Sequence, residues 1–199
     1  LELAQQLNFK KGIASSYNSI GIIYYNQGNY NKALENYFAA LKTQKEIGDK
    51  KSSAQSYNNI GNIYKNQGNY GKALENHFAA LKINEEIGDN KGITASFINI
   101  GLVYRDKNNY AHAFVFLRKG LLLAKVIGAK GLMMDAYKGL SEVGEKQKDY
   151  KNAYQYHQLY STMKDSLLNE ESSKQIAEMQ TKYETEKKEL QIENLHKDN

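Results

Sequence analysis

The sequence predicts an all-α solenoid in which antiparallel pairs of helices stack one on another. The first observation is internal repetition, since about 28 of the 40 residues in 51–90 are identical to those in 11–50. The second is that apolar residues within each copy recur at three- and four-residue intervals, the spacing of one helical face. The third is a pair of glycine-containing breaks in each of these copies. Repetition at this period is typical of stacked units that bury their surface against their neighbours.

Alignment of the copies divides the chain into six segments: 1–10, 11–50, 51–90, 91–130, 131–169 and 170–199. The second and third segments are the first two repeats, the fourth is a looser repeat, and the fifth is a degenerate one. The first segment resembles the end of a repeat, so we expect the tail helix of a preceding repeat there. Because the chain starts at Leu1 rather than at Met, we also expect a longer native protein with repeats upstream.

The helices of the first repeat end at residues that stop helices. Gly28 accepts the left-handed backbone conformation that closes a helix, and Asn29 follows it. Gly48 ends the second helix in the same way, and Asp49 is predicted to be the N-cap of the next helix. The chain contains no proline. Glycine, asparagine and aspartate are therefore expected to form the turns.

Glycine also recurs inside the first helix of three repeats, at Gly21, Gly61 and Gly101. A glycine in a helix interior costs about 1 kcal/mol relative to alanine. We therefore expect the paired helix to approach closely at these positions. The small residues predicted to meet the glycines are Ala33, Ala73 and Ala113.

Composition excludes several classes of protein. There is no cysteine, which excludes disulfides and thiol catalysis, and no stretch approaches the length of an apolar membrane span. The net charge of +5 would favour acidic partners, but no lysine and arginine cluster predicts binding to nucleic acid. No acid pair or nucleophile set stands out, so we predict no catalytic residue, no metal site, no cofactor and no enzymatic activity.

The last predicted helix differs from the repeats because it is charged, with eight acids and five lysines over 170–199. Ile176, Tyr183 and Leu190 are spaced by seven residues and Met179 lies between them, which favours a coiled coil and a homodimer through this segment. Glu186 interrupts the apolar pattern. The alternative is that the helix caps the solenoid.

The order of residues in each copy resembles the signature of the tetratricopeptide repeat, or TPR. In the first copy the matching residues are Tyr17, Ile20, Gly21, Tyr24, Ala33, Tyr37 and Ala40. The resemblance covers about residues 1–160 and implies a right-handed TPR α-solenoid. The chain departs from the usual TPR pattern in its period of forty residues and in lacking the closing proline. Its longer repeats with a Gly-Asp junction resemble the TPRs of LGN/Pins scaffolds, kinesin light chains and many bacterial signalling proteins.

Residues 156–188 resemble the segment that joins TPRs to a membrane helix in bacterial TPR-linked sensor histidine kinases. This resemblance implies the sensor or scaffold region of a bacterial signalling protein, without membrane contact in the chain itself. The alternatives are a stand-alone soluble adaptor and the regulatory arm of a nucleotide cyclase or transcription regulator. The compartment would be extracytoplasmic, in the periplasm, if the protein is linked to a membrane and cytoplasmic otherwise.

In TPR superhelices the first helix of each repeat lines the concave face, so the resemblance implies a protein or extended peptide ligand in that groove. The predicted peptide-binding residues are Asn18, Ile22, Tyr25, Asn58, Asn62, Lys65, Asn66, Ile98, Leu102 and Arg105. The amides would pair with the ligand backbone because they both donate and accept, and the apolar side chains would form pockets. Lys65 and Arg105 would attract acidic side chains. The alternative is that the asparagines are solvated and that Asn99 or Asn59 satisfies backbone groups. A chaperone-type carboxylate clamp is not predicted, because Asn18 stands where it requires lysine.

Overall fold

The computed structural model describes residues 2–197, with side chains described for residues 6–185 and 187–189. Eight helices make up this part of the chain: α1 (Glu2–Asn26), α2 (Tyr30–Glu46), α3 (Lys50–Asn66), α4 (Tyr70–Ile87), α5 (Asn90–Asp106), α6 (Tyr110–Val126), α7 (Lys130–Lys146) and α8 (Tyr150–Lys197).

The helices form four hairpins, α1–α2, α3–α4, α5–α6 and α7–α8, and each hairpin packs on the next through α2–α3, α4–α5 and α6–α7. In addition α3 contacts α5 and α5 contacts α7, whereas the second helices of neighbouring hairpins lie farther apart. The first helices therefore occupy the inner side of the stack. The predicted all-α solenoid with a long C-terminal helix is confirmed.

The turns follow the predicted chemistry except at the two ends of α7. This helix begins after Ala129 without a side-chain cap and is closed by Lys148, which has a φ of +61°. Gly28 closes α1 with a φ of +73°, and where the third repeat has Asn108 instead of glycine that residue adopts a φ of +61°. Six of the helices begin at an Asn or Asp whose side chain accepts a backbone N–H from the residue three positions on: Asn29, Asp49, Asn69, Asp89, Asn109 and Asp149. Such caps satisfy donors that the first helical turn leaves free.

The helix-interior glycines lie against the second helix, but the residues that meet them differ from those predicted. A Cβ added at Gly21 would lie 2.7 Å from the Tyr37 ring, and at Gly61 it would lie 2.7 Å from the His77 imidazole. Leu117 takes this place against Gly101, again at 2.7 Å. The predicted partners, Ala33, Ala73 and Ala113, are fully buried nearby. In each hairpin the larger side chain four residues after the alanine packs directly on the glycine. The glycine is needed because this contact leaves no room for a Cβ.

Both terminal helices are longer than the repeat pattern predicts. Residues 1–10 were expected to belong to a separate helix, but α1 runs without a break from Glu2 to Asn26, since no Gly-Asp pair separates the two parts. At the other end, α8 is both the second helix of the fourth repeat and the C-terminal helix. It has 48 residues in all, a length of about 72 Å. Among the described helices, none combines the length and apolar character that crossing a membrane requires.

The contacts between successive hairpins are not equivalent. Between the first and second repeats, buried Ser56 donates to the buried Gln44 side chain at 2.8 Å. Between the second and third repeats, Asn84 donates to Ser96 at 3.4 Å. The corresponding residues between the third and fourth repeats are Ala124 and Ala136, both fully buried. At this buried position two of the joints between repeats are therefore hydrogen-bonded and the third is apolar. The third joint is bridged instead by the ion pair of Arg105 on α5 with Glu142 on α7.

Candidate ligand-binding face

A polar pocket lies on the inner side of the stack between α3 and α5, with a volume of about 400 Å³. Its lining residues come from α3, from α5 and from the end of α4: Lys51, Gln55, Asn58, Asn59, Asn62, Asn84, Asp89, Lys91, Gly92, Ala95 and Asn99. We call it the α3–α5 pocket. Six of these side chains carry an amide, and two carry an ammonium group. The pocket can therefore offer both donors and acceptors to a ligand backbone.

A smaller version of this pocket, about 110 Å³ in volume, lies one repeat earlier between α1 and α3. The difference follows from the residues at matching positions. Asn84 is one methylene shorter than Gln44, and Gly92 and Ala95 replace the bulkier Ser52 and Gln55. The second joint is thus the place where the repeated groove opens enough to admit a ligand side chain.

Asn58, predicted to bind a ligand backbone, is occupied by contacts within the protein. Its amide nitrogen donates to the Ser96 hydroxyl at 3.4 Å, and its amide oxygen lies 2.9 Å from Nδ1 of His77. Asn58 therefore contributes to the floor of the α3–α5 pocket while it links α3 to α4 and α5.

His77 is buried against Gly61 and is fixed in one tautomer by this network. Because the Asn58 oxygen is an acceptor, Nδ1 of His77 carries the proton and donates to it. Nε2 is then a buried acceptor without a partner among the described residues. Burial, helped by the positive charge of nearby Lys65, lowers the pKa of His77 to about 3. The imidazole is consequently neutral in the folded protein.

Two of the predicted apolar residues belong to the core rather than to the groove. Ile98 is 2% exposed and packs within the cluster around Leu117, so its predicted contact with a ligand is wrong. Leu102 is partly buried and packs on the same cluster. Glycines on the neighbouring helices make room for these side chains. A Cβ added at Gly120 on α6 would lie 2.6 Å from Ile98, and one added at Gly139 on α7 would lie 3.1 Å from Leu102.

The two predicted cations, Lys65 and Arg105, lie among acidic side chains. Nε and Nη2 of Arg105 donate to Asp106 at 2.8 and 2.7 Å, and its Nη1 contacts Glu142 on α7. Arg105 is therefore neutralised and does not present a free positive charge. Burial lowers the pKa of Lys65, and the Asp106 and Glu142 carboxylates partly oppose that shift.

The remaining predicted residues lie along the inner side of the first two repeats. Asn18 accepts from Asn59 at 3.4 Å, and Asn66 donates to the Tyr25 hydroxyl at 3.0 Å, so both pairs tie α1 to α3. Ile22 is 43% exposed. The predicted residues are thus brought onto one side of the solenoid, but several of them bind one another.

Among the residues that line the α3–α5 pocket and that the sequence interpretation missed are Lys51, Gln55 and Lys91. Lys51, Gln55, Asn58 and Asn62 follow one another at intervals of four, three and four residues, which places them on one stripe of α3. Extending the predicted stripe from Asn58 toward the start of α3 would have found Lys51 and Gln55, and the same extension from Ile98 on α5 would have reached Lys91. Elsewhere in the described part of the chain, no three His, Asp or Glu side chains lie close enough together to hold a metal ion.

Four stacked helix hairpins with a polar inner face define a helical-repeat protein of the kind that binds other proteins or peptides. The sequence model of the tetratricopeptide repeat matches residues 12–86 and 52–125, which together span more than half of the chain. The chain therefore belongs to the tetratricopeptide repeat family. A comparison with curated proteins finds no match.

Several solved structures share the fold. BtubC (BKLC) from P. vanneervenii has a TM-score of 0.67 and 19% identity, covering 77% of this chain and 64% of that one. Aspartyl phosphate phosphatase F from Bacillus subtilis has a TM-score of 0.74 and 14% identity, covering 79% and 42%. A Rap protein complexed with Competence and Sporulation Factor has a TM-score of 0.68 and 17% identity, covering 75% and 42%. The chain thus spans about two thirds of the first structure and less than half of the other two.

Proposed function

We propose that the chain is a non-enzymatic module that binds an extended, acidic segment of a protein or peptide along the inner side of the solenoid. The α3–α5 pocket supports this proposal because it combines amide groups with two lysines in a volume within the ordinary range of ligand sites. The similarity to a Rap protein solved with Competence and Sporulation Factor is in keeping with a bound partner.

The lysines on the inner side of the solenoid account for the proposed preference for an acidic ligand. Lys11, Lys51 and Lys91 recur at the same position of three repeats, and each lines one of the two polar pockets. None of the three forms an ion pair with a described residue, whereas the preceding lysine in two of these repeats is paired across its hairpin, Lys10 with Glu46 and Lys50 with Glu86. The inner row of lysines is therefore available to carboxylates of a ligand.

The amide groups of the pocket would form hydrogen bonds with the ligand backbone. Asn62 and Asn99 line the pocket and have no hydrogen-bond partner among the described residues. An asparagine side chain can donate to a peptide carbonyl and accept from a peptide N–H at the same time. A ligand held in this way would be extended, because its backbone groups would otherwise be used within its own secondary structure.

The experiment uses fluorescein-labelled peptides of alternating Glu and Ala, with peptides of Lys and Ala for comparison. The variant Lys51→Ala/Lys91→Ala should bind the acidic peptide more weakly, by about 1–3 kcal/mol if both charges are paired on binding. Lys42→Ala/Lys82→Ala is the matched control, because these lysines are exposed on the second helices away from the pocket. Equal binding by the two variants, or equal binding of the acidic and basic peptides, would contradict the proposal.

We further propose that the chain is the sensor or scaffold region of a bacterial signalling protein, on the resemblance of residues 156–188. The unbroken course of α8 supports this role, because a displacement of the fourth repeat would be carried along a helix about 72 Å long. Reading the coding sequence on both sides of this segment tests the proposal. An apolar span and a kinase domain after Asn199 would support a periplasmic sensor, and a stop codon soon after Asn199 would favour a soluble adaptor.

The exposed apolar residues of α8 also support self-association through residues 170–199. Ile176, Met179 and Tyr183 are 63%, 64% and 65% exposed and lie at intervals of three and four residues. Light scattering on the full chain and on a chain that ends at residue 169 tests this: the full chain should form dimers and the shortened chain should be a monomer. A monomer in both cases would contradict it.

A further inference from the structure

The wall of the α3–α5 pocket formed by α5 is lower than the equivalent wall one repeat earlier. A Cβ added at Gly92 would lie 2.6 Å from the Asn84 side chain, so Asn84 packs directly on the backbone of α5. Ala95 is partly exposed and ends at its methyl group, where the preceding repeat has the longer Gln55. Both residues therefore leave space at the mouth of the pocket, which has about 400 Å³ against about 110 Å³ between α1 and α3.

The polar groups on the floor of this pocket are already paired. Asn58 bonds to His77 and to Ser96, and Asn84 also donates to Ser96. The acidic lining residue, Asp89, accepts a backbone N–H in the first turn of α5 at 3.0 Å. The floor is thus held by contacts within the protein, and its groups are not needed by a ligand.

The side chains around the mouth carry the groups that remain for a ligand. Lys51 on α3 and Lys91 on α5 are exposed, and neither forms an ion pair with a described residue. Gln55, Asn62 and Asn99 have no hydrogen-bond partner among the described residues and can donate from their amide nitrogens. Two ammonium groups and one carboxylate give the lining a net positive charge. A ligand carboxylate is therefore favoured, because charge-assisted hydrogen bonds are the strong ones.

The joint between the third and fourth repeats lacks this positive charge. The row of lysines ends at α5, because Gly131 takes its place on α7. Asp135 and Lys138 lie one turn apart on α7, and Glu142 is paired with Arg105. The fourth repeat therefore adds no net positive charge to the groove. Space and positive charge coincide between α3 and α5.

We propose that the α3–α5 pocket takes one acidic side chain of the bound segment and thereby sets the register of that segment along the groove. Gly92 and Ala95 decide whether this side chain enters, and Lys51 and Lys91 bind its carboxylate. The inference rests on the proposed binding of an acidic segment. It adds that one position of the segment, rather than its total charge, dominates recognition.

Fluorescence anisotropy with three labelled peptides tests the pocket. The peptides alternate Gln and Ala and differ at the central position, which is Glu, Gln or Lys. We expect the unmodified chain to bind the Glu peptide about tenfold more tightly than the Gln peptide, as for a hydrogen bond to a charged group. The Lys peptide should bind most weakly. Equal binding of the Glu and Gln peptides would overturn the assignment of an acidic side chain.

The first joint supplies a variant that closes the pocket with residues that the fold already accepts. Asn84→Gln/Gly92→Ser/Ala95→Gln copies that joint into the second, so the variant should fold normally by circular dichroism and lose the preference for Glu. Ala95→Gln alone changes no tightly packed residue and should reduce the preference, so it decides the question if the triple variant does not fold. Gly71→Ser/Ala111→Gln is the matched control, since both residues are exposed on second helices, and it should keep the preference.

The outcomes separate this inference from the proposal on which it rests. Failure of the unmodified chain to bind the peptide of alternating Glu and Ala would overturn both. Binding of that peptide, together with an undiminished preference for the central Glu in the pocket-filling variants, would overturn the pocket alone. The acidic segment would then be held by the row of lysines without a side chain in the pocket.

Discussion

The buried imidazole of His77 makes the stability of the second repeat depend on pH. The side chain is fully buried against Gly61, and its unpartnered Nε2 would have to accept a proton in a site that already adjoins Lys65. Protonation of the folded protein is therefore unfavourable. In the unfolded chain the same side chain is solvated and titrates at its ordinary pKa of 6.5.

The size of the effect follows from the difference between these pKa values. Burial and Lys65 lower the pKa of His77 to about 3 in the folded state. Above pH 6.5 the side chain is neutral in both states and adds no pH dependence to the free energy of unfolding. Below that value the unfolded chain binds a proton that the folded protein does not, so the free energy of unfolding falls by about 1.4 kcal/mol per pH unit. Between about pH 7 and pH 5 the expected loss is about 2 kcal/mol.

Urea denaturation at these two pH values, followed by the helical circular dichroism signal, measures the loss. The comparison is with His77→Leu, because Leu117 fills the same position against Gly101 in the third repeat. The unmodified protein should lose about 2 kcal/mol more than the variant on acidification. His112 and His157 are exposed and are present in both proteins, so their contribution cancels. Equal losses in the two proteins would refute the burial argument.

Three further substitutions test the packing of the second and third repeats by urea denaturation. Gly61→Ala should destabilise the protein by about 1–3 kcal/mol, because the added Cβ would lie 2.7 Å from the His77 ring; a gain in stability would contradict this close contact. Leu117→Ala, which empties a fully buried site, should cost about 2–5 kcal/mol, and a smaller loss would mean that the surrounding helices collapse onto the space. Asn58→Ala should also destabilise, by about 1–3 kcal/mol, because it leaves buried His77 without its acceptor; unchanged stability would mean that the hydrogen bonds to His77 and Ser96 contribute nothing.

The sequence predicts the fold well because its repeats encode each element several times. The helix ends at Gly28 and Gly48, and the N-cap at Asp49, follow from residue types whose backbone and capping preferences are local. The change in charge at residue 169 predicted a boundary there, but the second helix of the fourth repeat continues past it, because no glycine or proline after Gly144 ends the helix. The α-helical periodicity persists on both sides of residue 169.

The candidate site was predicted less well, for a reason that Asn58 and Ile98 illustrate. Both occupy the same position of their repeats, but Asn58 bonds to His77 and Ile98 packs under Gly120. Their position in the repeat places both side chains near the boundary between the groove and the core. Whether such a side chain belongs to the groove or to the core depends on the residue it meets on the neighbouring helix, His77 or Gly120. The apolar and polar pattern of a single helix does not include that residue.

Because the contacts between successive repeats differ, the solenoid is not expected to bend uniformly along its length. Hydrogen bonds such as Ser56 to Gln44 are directional and resist rotation of one hairpin on the next. Ala124 and Ala136 offer no such hydrogen bond, and the partly exposed ion pair of Arg105 with Glu142 bridges this joint instead. Because salt screens a partly exposed ion pair, rotation between the third and fourth repeats should become easier as the ionic strength rises. A ligand that straightened the first three repeats would then leave the orientation of α8 to be set by this one salt-sensitive joint.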